Sequence, residues 1–398
     1  MGVLAVLWLL LGSIPVQAQK GCTDPSTGLI PINDLGTGRY LGYTGGLYPD
    51  GENDPPEAHL ALGIELASLV EPLDTGGNPA PDGVVVFLSI GVSNTRIEFD
   101  AFTEMAASNT GLHPRLVILN GAQGSRALDE WAVGADANPW ANLDVDLTRK
   151  DLSPEQVQVV WIKLPDRTRG TVDLENVTPE LGHLTSVIQI AKSKYPNLRL
   201  AYLSSRIYGG YGGSGVGEPT AYQHGFAIKW LIEQQITGAP ELNANPDAGA
   251  VVAPWLAWGP YLWADGVIPR SDGLTWECED FEEGGTHPGP GAAAKVAVLL
   301  MRHLTTDVTS TGWFLASQAA GPAEAVTTAA PTTSIMATTS TLRSDVTNES
   351  LDSRQSPSQR AGQPEPLFHL GWALAGVGFG LAVSLAVAFA VAARLSRT

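Results

Sequence analysis

Between residues 82 and 304 the chain alternates two hydrophobic periods. Four short oily runs, "GVVVFLSI", "PRLVILN", "VQVVWIKL" and "NLRLAYLSS", read as buried strands. Interleaved with them, "TRIEFDAFTEMAAS", "PELGHLTSVIQIAKSKYP", "AYQHGFAIKWLIEQQIT" and "GAAAKVAVLLMRHL" read as helices. The second places Leu181, Leu184, Val187, Ile188 and Ala191 on one face. Apolar strands without polar alternation are covered on both sides, and helical crossovers join parallel neighbours. The pattern predicts an α/β fold of three layers, α/β/α, around a mainly parallel sheet.

The flanks carry other patterns. Residues 19–81 are rich in Gly, Pro, Asp and Asn, with one helical patch, "EAHLALGIELASLV". They are expected to form a lead packed on the domain, which spans 82–314. Residues 1–18 combine an apolar core, Pro15 and small residues before a cut after Ala18, which reads as a secretory signal peptide. Residues 315–366 are Thr, Ser, Ala and Pro with few large apolar side chains. Such a segment buries too little surface to fold and predicts a disordered, glycosylated stalk. Residues 367–393 are apolar over a length that spans a bilayer, and Arg394 and Arg397 follow in a short tail, 394–398. The predicted topology is type I single-pass, with the N-terminal domain outside, at the cell surface or in a secretory membrane.

Asn176 and Asn348 open N-glycosylation sequons. The only two cysteines, Cys22 and Cys278, both fall in the predicted outer part, where an even pair is most simply a disulfide. A net charge of −18 excludes the basic surface that nucleic acid needs. No His, Asp and Glu set has metal-ligand spacing, and the glycine-rich "YGGYGGSGVGEP" lacks the Lys-Ser/Thr of a phosphate loop, so no metal or cofactor is expected.

Chemistry enters at Ser93, which directly follows the first strand in "FLSIGVSNTRIEF". In a parallel α/β sheet ligands bind beyond the carboxyl ends of the strands, where that hydroxyl would sit. A serine needs a base to become a nucleophile. Of seven histidines, His287 stands in a Gly/Pro-rich loop, "EEGGTHPGP", just before the last helix of the domain. A dense aromatic stretch, "APWLAWGPYLWADG", holds Trp255, Trp258, Tyr261 and Trp263. It suits either the wall of a sugar or acyl pocket or a loop folded over the sheet.

Together, "GVSNT" after the first strand, "NGAQGS" after the second and "THP" before the last helix resemble the SGNH (GDSL-like) hydrolase superfamily, over roughly residues 82–304. The lead "GGLYPDGENDPPEAH" and the block "LSSRIYGGY" are similar to secreted, uncharacterised bacterial members. The resemblance implies a flavodoxin-like sheet and hydrolysis of an acyl or acetyl ester of a sugar or lipid. Ser93 would then be the nucleophile and His287 the base, with the amides of Ser93 and Gly124 binding the oxyanion. Three positions depart from the family pattern. Val92 replaces the Asp of Gly-Asp-Ser, and the third strand runs into "WIKLPDR" without the Asn that completes the oxyanion site, with Lys163 as a candidate positive charge there. Gly284 stands where the triad acid is expected, leaving Glu283, then Glu282 or Asp280, or a Ser-His dyad. Two functions follow: a membrane-anchored extracellular esterase acting on a small-molecule or glycan ester, or an inactive domain that binds glycans or a surface partner.

Overall fold

Five segments with fully or largely apolar side chains line up as one parallel sheet: β1 (Val85–Gly91), β2 (Leu116–Asn120), β3 (Val157–Lys163), β4 (Leu200–Leu203) and β5 (Trp255–Trp258). Their order across the sheet is β2-β1-β3-β4-β5, and every neighbouring pair runs parallel. The computed structural model describes residues 21–23, 25–166, 173–175, 177–212 and 217–316. The chain divides into units Met1–Glu324 and Ala325–Thr398, and all the described residues belong to the first. The expected signal peptide (1–18), most of the stalk, the membrane helix (367–393), the tail (394–398), Asn176 and Asn348 lie outside the described residues. Among the described residues no helix is long and apolar enough to cross a membrane, and no metal-binding cluster is found.

Among the described residues six longer helices surround the sheet: α1 (Glu57–Ser68), α2 (Ser93–Ala107), α3 (Asn138–Arg149), α4 (Val177–Lys194), α5 (Thr220–Ile236) and α6 (Pro290–Thr306). Successive strand residues face opposite layers. In β1, Phe87 meets Phe99 and Phe102 of α2 edge-on, at ring distances of 5.5 and 6.1 Å. Its neighbour Leu88 approaches the space that Leu143 of α3 fills beside Gly121. In β3, Trp161 stacks on Phe99 at 5.6 Å. The architecture is the expected three-layer α/β/α domain.

The fifth strand corrects the reading of the aromatic stretch. Trp255, Trp258, Tyr261 and Trp263 are buried in the core, and none of them lines the cavity at Ser93. β5 is an edge strand, and an edge exposes unpaired backbone groups. The lead and α5 supply the partners. His59 Nε2 donates to the Leu256 carbonyl (2.8 Å), Gln235 Oε1 accepts from the Leu256 amide (2.7 Å), and Tyr48 Oη accepts from the Trp258 amide (3.2 Å). Trp255 and Trp258 return the bonds through their indole N–H groups to the carbonyls of His59 and Leu47. A period-2 count cannot see this edge, because its cover comes from residues some 200 positions away.

Two further ties hold the lead. Cys22 and Cys278 form a disulfide with Cα atoms 5.7 Å apart. The Asp265 carboxylate, buried, accepts from the amides of Thr27 and Gly28 and the hydroxyls of Ser26 and Thr27. At the other end the order continues past residue 314. Leu315 bridges to Leu112, and the Ala316 amide donates to the Gly111 carbonyl.

Burial holds the imidazoles of His59 and His303 neutral, below their ordinary value near 6.5. In the unfolded chain both would take up protons at that value, so the folded form binds fewer protons and stability is lost as pH falls through and below 6.5. Melting temperature should therefore drop between pH 7.5 and 5, and His59→Gln should flatten that drop.

Candidate active site

Ser93 is the first residue of α2, and the turn that presents it is built around Thr95. A Cβ on Gly91 would stand 2.3 Å from Thr95 Oγ1, so only glycine allows the chain to approach that closely. The same hydroxyl accepts from the Val92 amide at 3.3 Å and donates to the Lys163 carbonyl at 2.5 Å. One side chain thus ties the β1–α2 turn to the end of β3. As the first residue of a helix, Ser93 has an amide N–H with no acceptor in its own helix, at the positive end of the helix dipole.

Ser93 Oγ lies 2.9 Å from His287 Nε2, across 194 positions of sequence. The His287 loop is a tight turn closed on itself. Phe281 and Pro288 form an antiparallel bridge, the Glu282 amide donates to the His287 carbonyl (3.0 Å) and the Gly285 amide to the Glu282 carbonyl (2.8 Å). Gly285 takes the left-handed φ of 65° that this turn requires. Asn94, buried beside Ser93, donates from Nδ2 to the Thr286 carbonyl at 3.0 Å. The helix that carries the hydroxyl therefore also holds the loop that carries the imidazole.

The candidate acids do not reach the imidazole. Glu282 and Glu283 are exposed, because the turn that pairs Glu282 with His287 through the backbone sends both side chains outward. The Asp280 carboxylate is engaged by Lys295 Nζ (2.5 Å) and the Glu277 amide (2.8 Å). Among the described residues the imidazole of His287 is hydrogen-bonded to Ser93 alone. Lys163 is not an oxyanion group either. It is wholly buried under α2, with Nζ 2.5 Å from both oxygens of Glu98. Burial pushes the Lys163 ammonium down to about 8 and the Glu98 carboxyl up from its usual range. Whichever group holds the proton, the pair is neutral overall.

Gly124 stands in the loop after β2, where a Cβ would lie 3.9 Å from that of Ser93. Its loop is anchored by the Gln123 amide, which donates to the Gly91 carbonyl at 2.9 Å. A cavity of about 130 Å³ opens here, lined by Ser93, Asn94, Arg126, Asp166, Arg206 and Thr286 among others. It lies where the chain order reverses between β1 and β3, the crevice position of doubly wound sheets. Arg126 is paired with Glu130 at 2.7 Å, and Asp166 accepts from His183 Nδ1 at 3.0 Å. Asn94, Asp166 and Arg206 were not singled out from sequence. Their signal was position: each lies three residues beyond the carboxyl end of a buried strand.

No protein-family profile matches the chain, and no curated protein matches it. Among solved structures, it is similar to a lipase/acylhydrolase from Enterococcus faecalis, at 14% identity and a TM-score of 0.32 over 59% of this chain and 100% of that one. A second likeness is to the C-terminal catalytic domain of the Streptococcus pneumoniae peptidoglycan O-acetyltransferase OatA, at 12% identity and a TM-score of 0.30 over 59% and 99%. A third is to an extracellular lipase from Streptomyces rimosus, at 13% identity and a TM-score of 0.28 over 55% of this chain and 100% of that one.

Proposed function

We propose that this chain is a serine ester hydrolase, with Ser93 as nucleophile and His287 as base. The observation that carries the reading is the 2.9 Å contact between Ser93 Oγ and His287 Nε2 at the open end of the sheet. In the tautomer the reaction needs, the hydroxyl donates to Nε2. As the Oγ–acyl carbon bond forms, that proton passes to Nε2. The carbonyl oxygen becomes an oxyanion, for which the amides of Ser93 and Gly124 are the candidate donors. Such donors are worth about 2.7–4 kcal/mol each when aimed at the developing charge. The bond to the leaving alcohol then breaks, and Nε2–H protonates its oxygen. Water repeats the sequence on the acyl-enzyme, so one ester and one water give one acid and one alcohol.

The substrate in this reading is an acyl or acetyl ester of a sugar or lipid, met outside the cytoplasm by a membrane-anchored domain. The disulfide between Cys22 and Cys278 suits that compartment. One observation favours the second reading, an inactive domain that binds a glycan or surface partner: no described carboxylate supports the His287 ring. The purified domain should hydrolyse p-nitrophenyl acetate, and a sulfonyl fluoride should add once, on the peptide that contains Ser93. A protein that neither turns over the ester nor takes the label would reject the hydrolase reading.

Asn94 has a positioning role in this scheme. Replacing it with alanine frees the Thr286 carbonyl from α2 and lets the imidazole drift. The expected result is a fall in kcat of about 10- to 100-fold, the scale of an ångström misplacement, with KM little changed. A rise in KM with kcat unchanged would instead assign Asn94 to substrate binding.

A further inference from the structure

The hydrolytic scheme leaves Arg206, in the lining of the Ser93 cavity, without a role. It lies three residues beyond the end of β4 and is only 4% exposed. Its Nε is buried without a partner, and among the described residues its guanidinium makes neither a hydrogen bond nor an ion pair. Two acidic residues act on it through space, Glu218 and Glu98. Both are committed elsewhere. Glu98 gives its two oxygens to Lys163, and Glu218 accepts from the amides of Gly209 and Tyr222 and from Trp263 Nε1. A guanidinium does not shed its proton in a protein, so a charged group that lines the cavity is left, among the described residues, without an acceptor for its N–H donors.

We propose that Arg206 binds a carboxylate on the substrate, so that the ester cleaved is the half-ester of a short dicarboxylic acid. The inference rests on the hydrolase reading for the reaction, but the binding itself does not need it. A planar fork matches a carboxylate with two parallel hydrogen bonds. The charge count also favours a single negative group. Among the described residues the only other cation lining the cavity, Arg126, is already paired with Glu130, and Asp166 brings a negative charge of its own. A phosphate dianion would find no second free counter-charge among the described residues. Size points the same way: about 130 Å³ is well below the ~300–1,000 Å³ of pockets that hold drug-sized ligands. It suits a short acyl group. We assign the arginine to the acyl part because the alcohol must leave toward solvent and be replaced by water.

The test compares monomethyl succinate with methyl butyrate, its neutral counterpart, and with monomethyl phosphate, by calorimetry on Ser93→Ala protein, which cannot consume the esters. Monomethyl succinate should bind at least about tenfold tighter than methyl butyrate, the scale of one charge-assisted hydrogen bond. Adding Arg206→Gln should remove that preference, and Arg206→Lys should keep part of it, since it retains the charge without the fork. Equal binding of the two esters, or binding of neither, overturns the proposal even if neither arginine variant folds. Tighter binding of monomethyl phosphate overturns the choice of carboxylate. With the intact serine, hydrolysis of p-nitrophenyl acetate and hemisuccinate separates the two claims. Turnover of acetate without preference for hemisuccinate leaves the hydrolase standing and sinks the role of Arg206. Charge-selective binding without turnover of either does the reverse.

Discussion

Ser93→Ala protein is expected to lose at least about 10³-fold in kcat against p-nitrophenyl acetate, while its melting temperature stays close to that of the parent. The magnitude follows from removing a nucleophile whose partners act as a unit; loss of the serine in a comparable dyad or triad costs as much as about 10⁶-fold. His287→Ala should match it, and the double variant should be no worse than either single one. That non-additivity is the signature of a shared step. The melting temperature should be insensitive because, among the described residues, Ser93 Oγ bonds only to His287, at a half-exposed site, and alanine is a good residue for the first turn of a helix. Rates within threefold of the parent in the serine variant would remove Ser93 from the reaction.

Lys163→Met is expected to destabilise the domain by about 3–5 kcal/mol, read from urea unfolding, because it strands Glu98 in the core. Both side chains are wholly buried, and burial already pushes the Glu98 carboxyl up and the Lys163 ammonium down. The pair spans the interface of α2 with β3, directly beneath the turn that presents Ser93. Replacing both, as Glu98→Leu with Lys163→Met, should recover most of the loss, since an apolar pair of similar volume carries no desolvation cost. If the single variant were as stable as the parent, the pair would hold no proton-linked stability and its role in supporting the turn would fall.

How much of this was legible beforehand depended on where the partners of each residue lie. The strands β1 to β4 and the helices α2, α4, α5 and α6 announced themselves, because a strand covered on both faces is a continuous apolar run and its helices repeat every three to four residues. The helix α3, "NPWANLDVDLTR", was missed among polar residues, although Trp140, Leu143 and Leu147 form its buried stripe. β5 was missed because Pro254 and Pro260 frame it and its tryptophans look like pocket residues. Ser93 and His287 could be named from their places in the chain. That Glu283 points outward could not, since a one-residue change in a turn reverses where a side chain goes.

By itself the sequence determined the layers and the parallel sheet, the place of a serine at the end of the first strand, and the pair of cysteines. Those depend on local periods and turn chemistry, which act over a few residues. Tertiary structure alone decided that Lys163 belongs to the core, that Asn94 holds the His287 loop, and that Arg206 faces the cavity without an acceptor. Each of those outcomes is a balance of charge and hydrogen bonds among groups brought together from distant strands, and no stretch of sequence contains both sides of it.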